Sequence, residues 1–360
     1  MVKIELVEIY KEYYGGKVVA ADIPYLEIRD KEFFGLLGPS GSGKTTTLRI
    51  IAGLTMPDRG KVLIDGEDIT YLPPEKRGLG MVFQSWALFP HLTIFENIAF
   101  GLRLKKLPEG EISRRVRWAA ELLRIEELLD RYPYQLSGGQ QQRVAVARAI
   151  VVEPKALLFD EPLSNLDAKL REQVRFELRK LQKELGITSV YVTHDQAEAL
   201  VLCDRIAIMN KGRIEQLGTP EEIYNYPATP FVAEFMGVTT LVPGRIVEVL
   251  DPSAALVRVQ VENSDLVFVA RTRAEKASIN TPVFLSIRPE IVTVASKEDK
   301  LNVAEAVVAA VSFLGDHTEH ILMLNDHQVR LRTPTSLRFM PGDKIRIKLD
   351  ESRLFAVPRS

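Results

Sequence analysis

The stretch Gly38-Pro39-Ser40-Gly41-Ser42-Gly43-Lys44-Thr45 decides the fold, because it matches the phosphate-binding pattern G-x-x-x-x-G-K-[ST] without a mismatch. Residues 33–37 before it form an apolar run of the buried-strand type, and residues 46–52 after it predict the start of a helix. This is the context that the pattern requires. The sequence therefore predicts an α/β domain that holds the phosphates of a nucleotide.

The residue types of this loop suit phosphate binding. Its glycines leave room for backbone N–H groups to converge on the β- and γ-phosphates, and the helix N-terminus adds partial positive charge. Lys44 adds a full positive charge, and Thr45 offers a hydroxyl to Mg²⁺. The nucleotide-binding residues expected in this segment are Gly38, Pro39, Ser40, Gly41, Ser42, Gly43, Lys44, Thr45 and Thr46.

Length and composition limit what the rest of the chain can be. At 360 residues the chain exceeds one average core, so two domains are expected. With a formal net charge of −1, the chain has no excess of basic residues, which disfavours nucleic acid as a partner. The absence of an eighteen-residue apolar run and the acidic Glu5 near the start argue against a membrane span and against secretion. The single cysteine, Cys203, suits a buried apolar position and a reducing cytoplasm.

Two further segments have the chemistry of a nucleotide site. An apolar strand ends in Asp160 and Glu161. These two carboxylates could cap a helix. Beside a phosphate loop, however, one carboxylate would be expected to bind Mg²⁺ and the other to act as a base that polarises water. At residues 136–140, Leu-Ser-Gly-Gly-Gln precedes a predicted helix over 141–150, with Ser137 as a good N-cap. This second helix N-terminus could also face an anion.

Isolated residues near these motifs are weaker signals. Tyr13 and Tyr14 precede the phosphate loop, where an aromatic ring could stack on adenine. Gln84 ends a buried-type strand and by itself indicates little. His194 ends another strand-like run, and a lone histidine there is usually a structural residue. Between these motifs, apolar residues at helical spacing over 112–129 predict a helical insert.

Taken in order, these segments resemble the nucleotide-binding subunits of ATP-binding-cassette (ABC) transporters over roughly residues 1–235. Six features stand in the family's order, which chance does not produce. They are the phosphate loop, Gln84, the LSGGQ signature at 136–140, the LLFDE strand at 157–161, the SNLD segment at 164–167 and His194. The resemblance implies an α/β P-loop ABC domain at residues 1–237, with a helical subdomain at about 86–153.

The resemblance also implies which residues surround ATP and Mg²⁺. Tyr14 would stack on adenine, with Tyr13 as the alternative because the extra Gly16 blurs the alignment of that loop. Gln84 would contact Mg²⁺ and link the site to a transmembrane partner. The implied metal ligands are Thr45, Gln84 and Asp160.

Catalysis and dimerisation follow from the same resemblance. Glu161 would polarise the attacking water, His194 would contact the γ-phosphate, and Lys44 and Gln84 would complete the catalytic set. The signature loop would work in trans, closing on ATP held by a second copy in a head-to-tail dimer around two nucleotides. The residues implied at that seam are Ser137, Gly138, Gly139, Gln140 and Asp167.

Two segments, residues 87–98 and 218–224, resemble importers of sugars, polyamines and small anions. The resemblance implies separate integral membrane permease subunits, an extracellular solute-binding protein as an indirect partner, and a peripheral position on the cytoplasmic face of the membrane. A sugar or oligosaccharide is the favoured solute, with a polyamine or an inorganic anion as the alternatives. A soluble ABC ATPase that remodels ribosomes or DNA is a third possibility, disfavoured because paired cassettes and long coiled-coil inserts are missing from the sequence.

Residues 238–360 change to short β-type runs broken by Pro, Gly and Asp, which predicts a small barrel. Within them, residues 286–290 and 313–316 resemble the OB-like (TOBE/MOP-type) accessory domain of the sugar-importer branch. Such a domain could also bind a regulator. His317, His320 and His327 could ligate a metal, but their spacing fits no defined site, and we expect solvated surface residues.

Overall fold

The computed structural model describes residues 2–359 and divides them into two compact units. The first unit ends at Pro220 and the second begins at Glu221. The boundary expected from the sequence, between residues 237 and 238, lies later in the chain. The difference arises because two short helices that precede the β-rich region belong to the second unit.

The strands of the first unit form two sheets. These strands are β1 (Ile4–Tyr13), β2 (Val18–Ile28), β3 (Phe33–Leu37), β4 (Arg59–Ile64), β5 (Glu67–Asp68), β6 (Leu79–Val82), β7 (Ala156–Asp160), β8 (Thr188–Thr193), β9 (Arg205–Asn210) and β10 (Arg213–Gly218). One sheet is antiparallel, with the order β2-β1-β4-β5. The other has the order β10-β9-β3-β8-β7-β6, parallel except for β10.

The parallel sheet explains how motifs far apart in sequence share one site. Every residue of β3, β7 and β8 is buried, as expected for strands covered on both faces. The carboxyl ends of parallel strands lie at one edge of the sheet, where ligands bind in open α/β folds. The phosphate loop after β3, Asp160 at the end of β7 and His194 after β8 therefore lie at the same edge.

Helices of the first unit pack on these sheets and form the predicted insert. They are α1 (Lys44–Ala52), α2 (Ile94–Leu104), α3 (Glu109–Leu123), α4 (Gly138–Ile150), α5 (Ala168–Leu185) and α6 (Gln196–Leu202), with 3-10 turns at Pro74–Lys76, Glu126–Leu128 and Pro133–Gln135. The helix predicted over 112–129 ends earlier, because Arg124 adopts a left-handed φ of 55°. Among residues 2–359, no helix is both long and apolar enough to cross a bilayer.

Cys203 follows α6 and occupies the small buried position that the sequence predicts. Its side chain packs so closely on β3 that a Cβ added at Gly35 would lie 2.7 Å from its Sγ. Burial raises the pKa of the Cys203 thiol well above its ordinary value.

The second unit is β-rich, in agreement with the barrel expected from the sequence. After α7 (Pro220–Asn225) and α8 (Pro230–Phe235), its elements are β11 (Thr240–Asp251), β12 (Leu256–Val261), β13 (Val267–Arg271), a 3-10 turn (Ala274–Lys276), β14 (Pro282–Ile287), a 3-10 turn (Pro289–Ile291), β15 (Val292–Val294), β16 (Val303–Phe313), β17 (His317–Leu324), β18 (His327–Pro334), β19 (Lys344–Leu349) and β20 (Phe355–Pro358). Strands β11, β12, β13, β20 and β14 close a barrel. A second sheet of order β15-β19-β16-β17-β18 was not expected.

The three histidines of this unit are not all solvated surface residues. His320 is fully buried, its ring stands edge-on to Phe339 at 5.5 Å, and its Nε2 accepts a hydrogen bond from the Phe339 backbone N–H at 3.3 Å. His317 and His327 are half-buried. The expectation of surface exposure is therefore wrong for His320, because the segment after β18 covers it. No group of three or more His, Cys, Asp or Glu side chains that could hold a metal ion occurs among the described residues.

Candidate nucleotide-binding site

The phosphate loop joins β3 to α1 in a conformation that glycine makes possible. A Cβ at Gly38 would collide with the carbonyl oxygen of Met209. Gly43 has a φ of 103°, and a Cβ there would collide with the carbonyl oxygen of Ala20. Both positions therefore exclude other side chains, for steric reasons and, at Gly43, also for conformational ones.

Lys44 is the buried cation of this loop. Its side chain is 4% exposed, and its Nζ donates to the carbonyl oxygens of Gly38 at 2.8 Å and Pro39 at 2.9 Å. Burial lowers the pKa of Lys44, while the nearby Glu161 and Asp160 carboxylates act in the opposite direction. A buried ammonium group at a helix N-terminus fits a polyphosphate, whose negative charge would offset the cost of burying the cation.

Thr45 and Asp160 supply oxygen ligands of the kind that Mg²⁺ takes. The Thr45 hydroxyl donates to Asp160 Oδ1 at 3.1 Å, and burial raises the pKa of Asp160. Mg²⁺ is commonly held by one or two carboxylates together with substrate phosphates and water. One hydroxyl and one carboxylate beside a phosphate loop therefore fit this ion, which would supply charge neutralisation at the phosphates.

Glu161 and His194 form the second pair of the site. His194 Nδ1 lies 3.0 Å from Glu161 Oε2. The Glu161 backbone has a φ of 46°, its N–H donates to Val192 O at 3.1 Å, and its carbonyl accepts from the Ser164 hydroxyl at 2.9 Å. The Glu161 carboxylate is thus held beside an imidazole at the same sheet edge as Lys44 and Asp160.

Gln84 and the tyrosines are less constrained in the single chain. Strand β6 ends two residues before Gln84, whose exposed side chain makes no hydrogen bond within residues 2–359. Its backbone carbonyl accepts from Asn165 Nδ2 at 2.9 Å. Tyr14 is 82% exposed at the turn after β1, and Tyr13 is 37% exposed. Adenine stacking by Tyr14 or Tyr13, and the metal contact of Gln84, stay predictions.

The signature segment begins α4 with a reciprocal cap. Gln140 N–H donates to Ser137 Oγ at 3.4 Å, and Ser137 N–H donates to Gln140 Oε1 at 2.9 Å, as in a capping box. The Gln140 side-chain amide is therefore hydrogen-bonded within its own chain. Asp167 caps α5 by accepting from Leu170 N–H at 3.0 Å. Within the described part of one chain, no hydrogen bond or ion pair joins these caps to the phosphate loop.

Sequence reasoning missed a cluster that ties the Gln84 segment to the signature helix. Arg148, on α4, donates to the carbonyl oxygens of Trp86 and Ala87, each at 2.7 Å. The Trp86 ring lies 3.2 Å from where a Cβ at Gly138 would stand, and its Nε1–H donates to Pro162 O at 3.3 Å. These contacts join residues more than fifty positions apart, so no local pattern indicates them.

Comparison with known families agrees with this architecture. The model of the ABC transporter family matches residues 23–164. The model of the TOBE domain matches residues 285–357, within the second unit.

Individual relatives and solved structures are similar over most of their own length. The spermidine/putrescine import ATP-binding protein PotA of Thermobifida fusca (strain YX) is 48% identical over 90% of this chain and 84% of its own. The trehalose/maltose import ATP-binding protein MalK of Thermococcus litoralis is 55% identical over 66% of this chain and 65% of its own. The dimeric structure of MJ0796, a bacterial ABC transporter cassette, is 36% identical with a TM-score of 0.54, covering 60% of this chain and 98% of that one.

Two further solved structures agree with this comparison. CbiO1 from Clostridium perfringens, part of the ABC transporter complex cbiONQ, is 34% identical with a TM-score of 0.57, covering 61% of this chain and 89% of that one. A structure of MJ0796 bound to ADP and Pi is 35% identical with a TM-score of 0.54, covering 60% of this chain and 98% of that one. The phosphate loop, the adjacent Thr45–Asp160 pair and these similarities lead to one conclusion: the chain belongs to the ABC transporter ATP-binding proteins, and it is an ATPase that binds ATP and Mg²⁺ and carries a C-terminal TOBE domain.

Proposed function

We propose that this chain energises the import of a polyamine such as spermidine or putrescine. The observation that carries this proposal is the 45–48% identity to spermidine/putrescine import proteins over 88–97% of the chain in several relatives. The trehalose/maltose relative covers only 66% of the chain. The solute favoured in the sequence analysis, a sugar, is therefore less well supported than the polyamine alternative.

In the proposed cycle, two copies associate head to tail around two MgATP molecules at the cytoplasmic face of the membrane. Ser137, Gly138 and Gly139 of each copy would contact ATP held by the other. This fits the single chain, where the signature segment makes no hydrogen bond to the phosphate loop. Closure would move separate permease subunits, which receive solute from an extracellular binding protein, and hydrolysis would reset them.

Within each site, each residue has a role that follows from its chemistry. Lys44 and the backbone N–H groups of the loop would hold the phosphates, while Thr45 and Asp160 hold the metal. Glu161 would accept a proton from water as a general base, and His194 would keep the Glu161 carboxylate oriented through the 3.0 Å contact.

Uptake into vesicles tests the proposed solute. The chain would be reconstituted in proteoliposomes with its co-purifying permease subunits and binding protein, and ATP-dependent uptake of labelled spermidine and maltose would be measured in parallel. We expect the parent chain to support spermidine uptake and the Glu161→Gln variant to support none. Maltose uptake without spermidine uptake would contradict the proposal and would indicate that the solute is a sugar.

The Ser137→Arg variant tests the trans role of the signature segment. The variant adds bulk and charge where the second copy's ATP would lie, so it should bind MgATP as a single chain but fail to dimerise. Sedimentation with MgATP, in the Glu161→Gln background, measures the dimer fraction. Ser137→Ala is the matched control, because it also loses the capping hydroxyl but leaves space for ATP. A normal dimer of the arginine variant would argue against the proposed interface.

A further inference from the structure

Arg171, in the first turn of α5, connects two loops of the nucleotide site. Its Nη2 donates to the carbonyl oxygen of Leu166 at 3.0 Å, directly before Asp167. Its Nη1 lies 3.4 Å from Asp195 Oδ2, directly after His194. The planar guanidinium therefore spans from the segment proposed to face the second copy to the segment that carries His194.

Asp195 is fixed at the His194 end of this connection. Its Oδ1 accepts from the N–H groups of Ala197 at 2.8 Å and Glu198 at 3.2 Å, which caps α6. Its own N–H donates to Thr193 Oγ1 at 2.9 Å. A shift of Arg171 would therefore be transmitted to the backbone on both sides of His194.

Glu198 makes a second contact on the same side. Its side chain is 3% exposed, and its Oε2 accepts from the hydroxyls of Tyr191 at 2.8 Å and Thr193 at 2.7 Å. Its Oε1 lies 3.8 Å from Arg171 Nε. The two carboxylates, Asp195 and Glu198, thus fix the guanidinium at the end of β8.

These groups adjoin the reacting part of the site. A cavity of about 10 Å³ has Glu161 and His194 on its wall together with Arg171 and Glu198. Arg171 and the Glu161 carboxylate side of the site therefore line one small cavity.

We propose that Arg171 is a positioning residue that sets His194, and through it Glu161, from the position of the Leu166–Asp167 segment. The inference goes beyond the transported solute and does not depend on it. One part of the inference depends on the proposed dimer, namely that a second copy would move Asp167.

Arg175 supplies a matched control. It lies one turn later on α5 and pairs with the same Asp195 oxygen at 3.2 Å, but it makes no hydrogen bond to the Leu166 carbonyl. Its side chain is less exposed than that of Arg171, at 13% against 27%. If these arginines served stability alone, the loss of Arg175 should therefore cost at least as much as the loss of Arg171.

The test compares Arg171→Gln and Arg175→Gln in the full-length chain by steady-state ATPase activity and thermal unfolding. We expect Arg171→Gln to lower kcat about tenfold, within the range of measured couplings between contacting residues. The KM for MgATP should change less than about twofold, because Lys44 and Thr45 are untouched. Arg175→Gln should keep kcat within about threefold at an equal or larger loss in Tm.

A double-mutant cycle with His194→Ala then asks whether Arg171 acts through His194. Single-turnover phosphate release measures the low rates. Adding Arg171→Gln to His194→Ala should reduce the rate less than about twofold further, because the coupling is already lost. A full tenfold further loss, or equal kcat losses in the Arg171 and Arg175 variants, would overturn the proposal.

Dimerisation of the Glu161→Gln chain is measured separately, so the two proposals can fail independently. If Glu161→Gln forms no dimer with MgATP, the proposed assembly fails whatever the Arg171 kinetics show. If it dimerises and Arg171→Gln keeps the parent kcat, only the positioning role is lost.

Discussion

The Glu161→Gln variant is expected to lose ATP hydrolysis by about a hundredfold or more, on the scale of general-base contributions, while still binding MgATP. Glutamine keeps the size of the side chain but cannot accept a proton from water. The backbone contacts of residue 161, to Val192 and Ser164, do not involve the carboxylate. The loop should therefore keep its shape.

The same variant should accumulate as a closed dimer in MgATP. ATP bound between two copies stabilises the dimer by mass action, and without hydrolysis the dimer reopens only as intact ATP dissociates. Size-exclusion chromatography with MgATP gives the dimer fraction, and phosphate release is followed in parallel. Glu177→Gln, which makes the same chemical change in an ion pair with Arg143, is the control. A Glu161→Gln chain that hydrolyses ATP at the parent rate would remove Glu161 from the mechanism.

Replacing Lys44 by alanine should abolish measurable ATPase activity and weaken MgATP binding by about a hundredfold, the effect of losing charge-assisted hydrogen bonds. Lys44→Met separates charge from packing, because methionine keeps the aliphatic length. Both variants lose the hydrogen bonds from Lys44 Nζ to the Gly38 and Pro39 carbonyls, so each is compared with its own nucleotide-free Tm.

Thermal unfolding with and without MgATP provides the readout for Lys44. The parent Tm should rise with MgATP because ligand binds only the folded state, whereas the Tm of both variants should rise much less at the same MgATP concentration. A normal Tm rise and near-normal turnover in Lys44→Met would contradict the assignment of the site.

The parts of the site that the sequence predicts are those that depend on residues close together in the chain. The phosphate loop requires glycine over a few adjacent positions, and the Ser137 cap involves residues three apart. Burial of β3 and β7 follows from their apolar runs. These features appear in the structure close to where the sequence places them.

The features that escaped prediction depend on long-range packing or on a single backbone conformation. Arg148 meets Trp86 across 62 positions, and Arg171 meets Asp195 across 24. His320 is buried by a segment that follows another strand. The predicted insert helix stops at Arg124 because of one left-handed residue, which apolar periodicity does not reveal.

The burial of Cys203 has a practical consequence for spectroscopy. A thiol that is 6% exposed and whose pKa burial raises is a poor nucleophile. The chain contains no other cysteine, so one cysteine introduced at an exposed position would carry the reactive thiol. Spin labels or fluorophores could then be attached without altering the native sequence elsewhere, and distances between two labelled chains would report their association directly in solution.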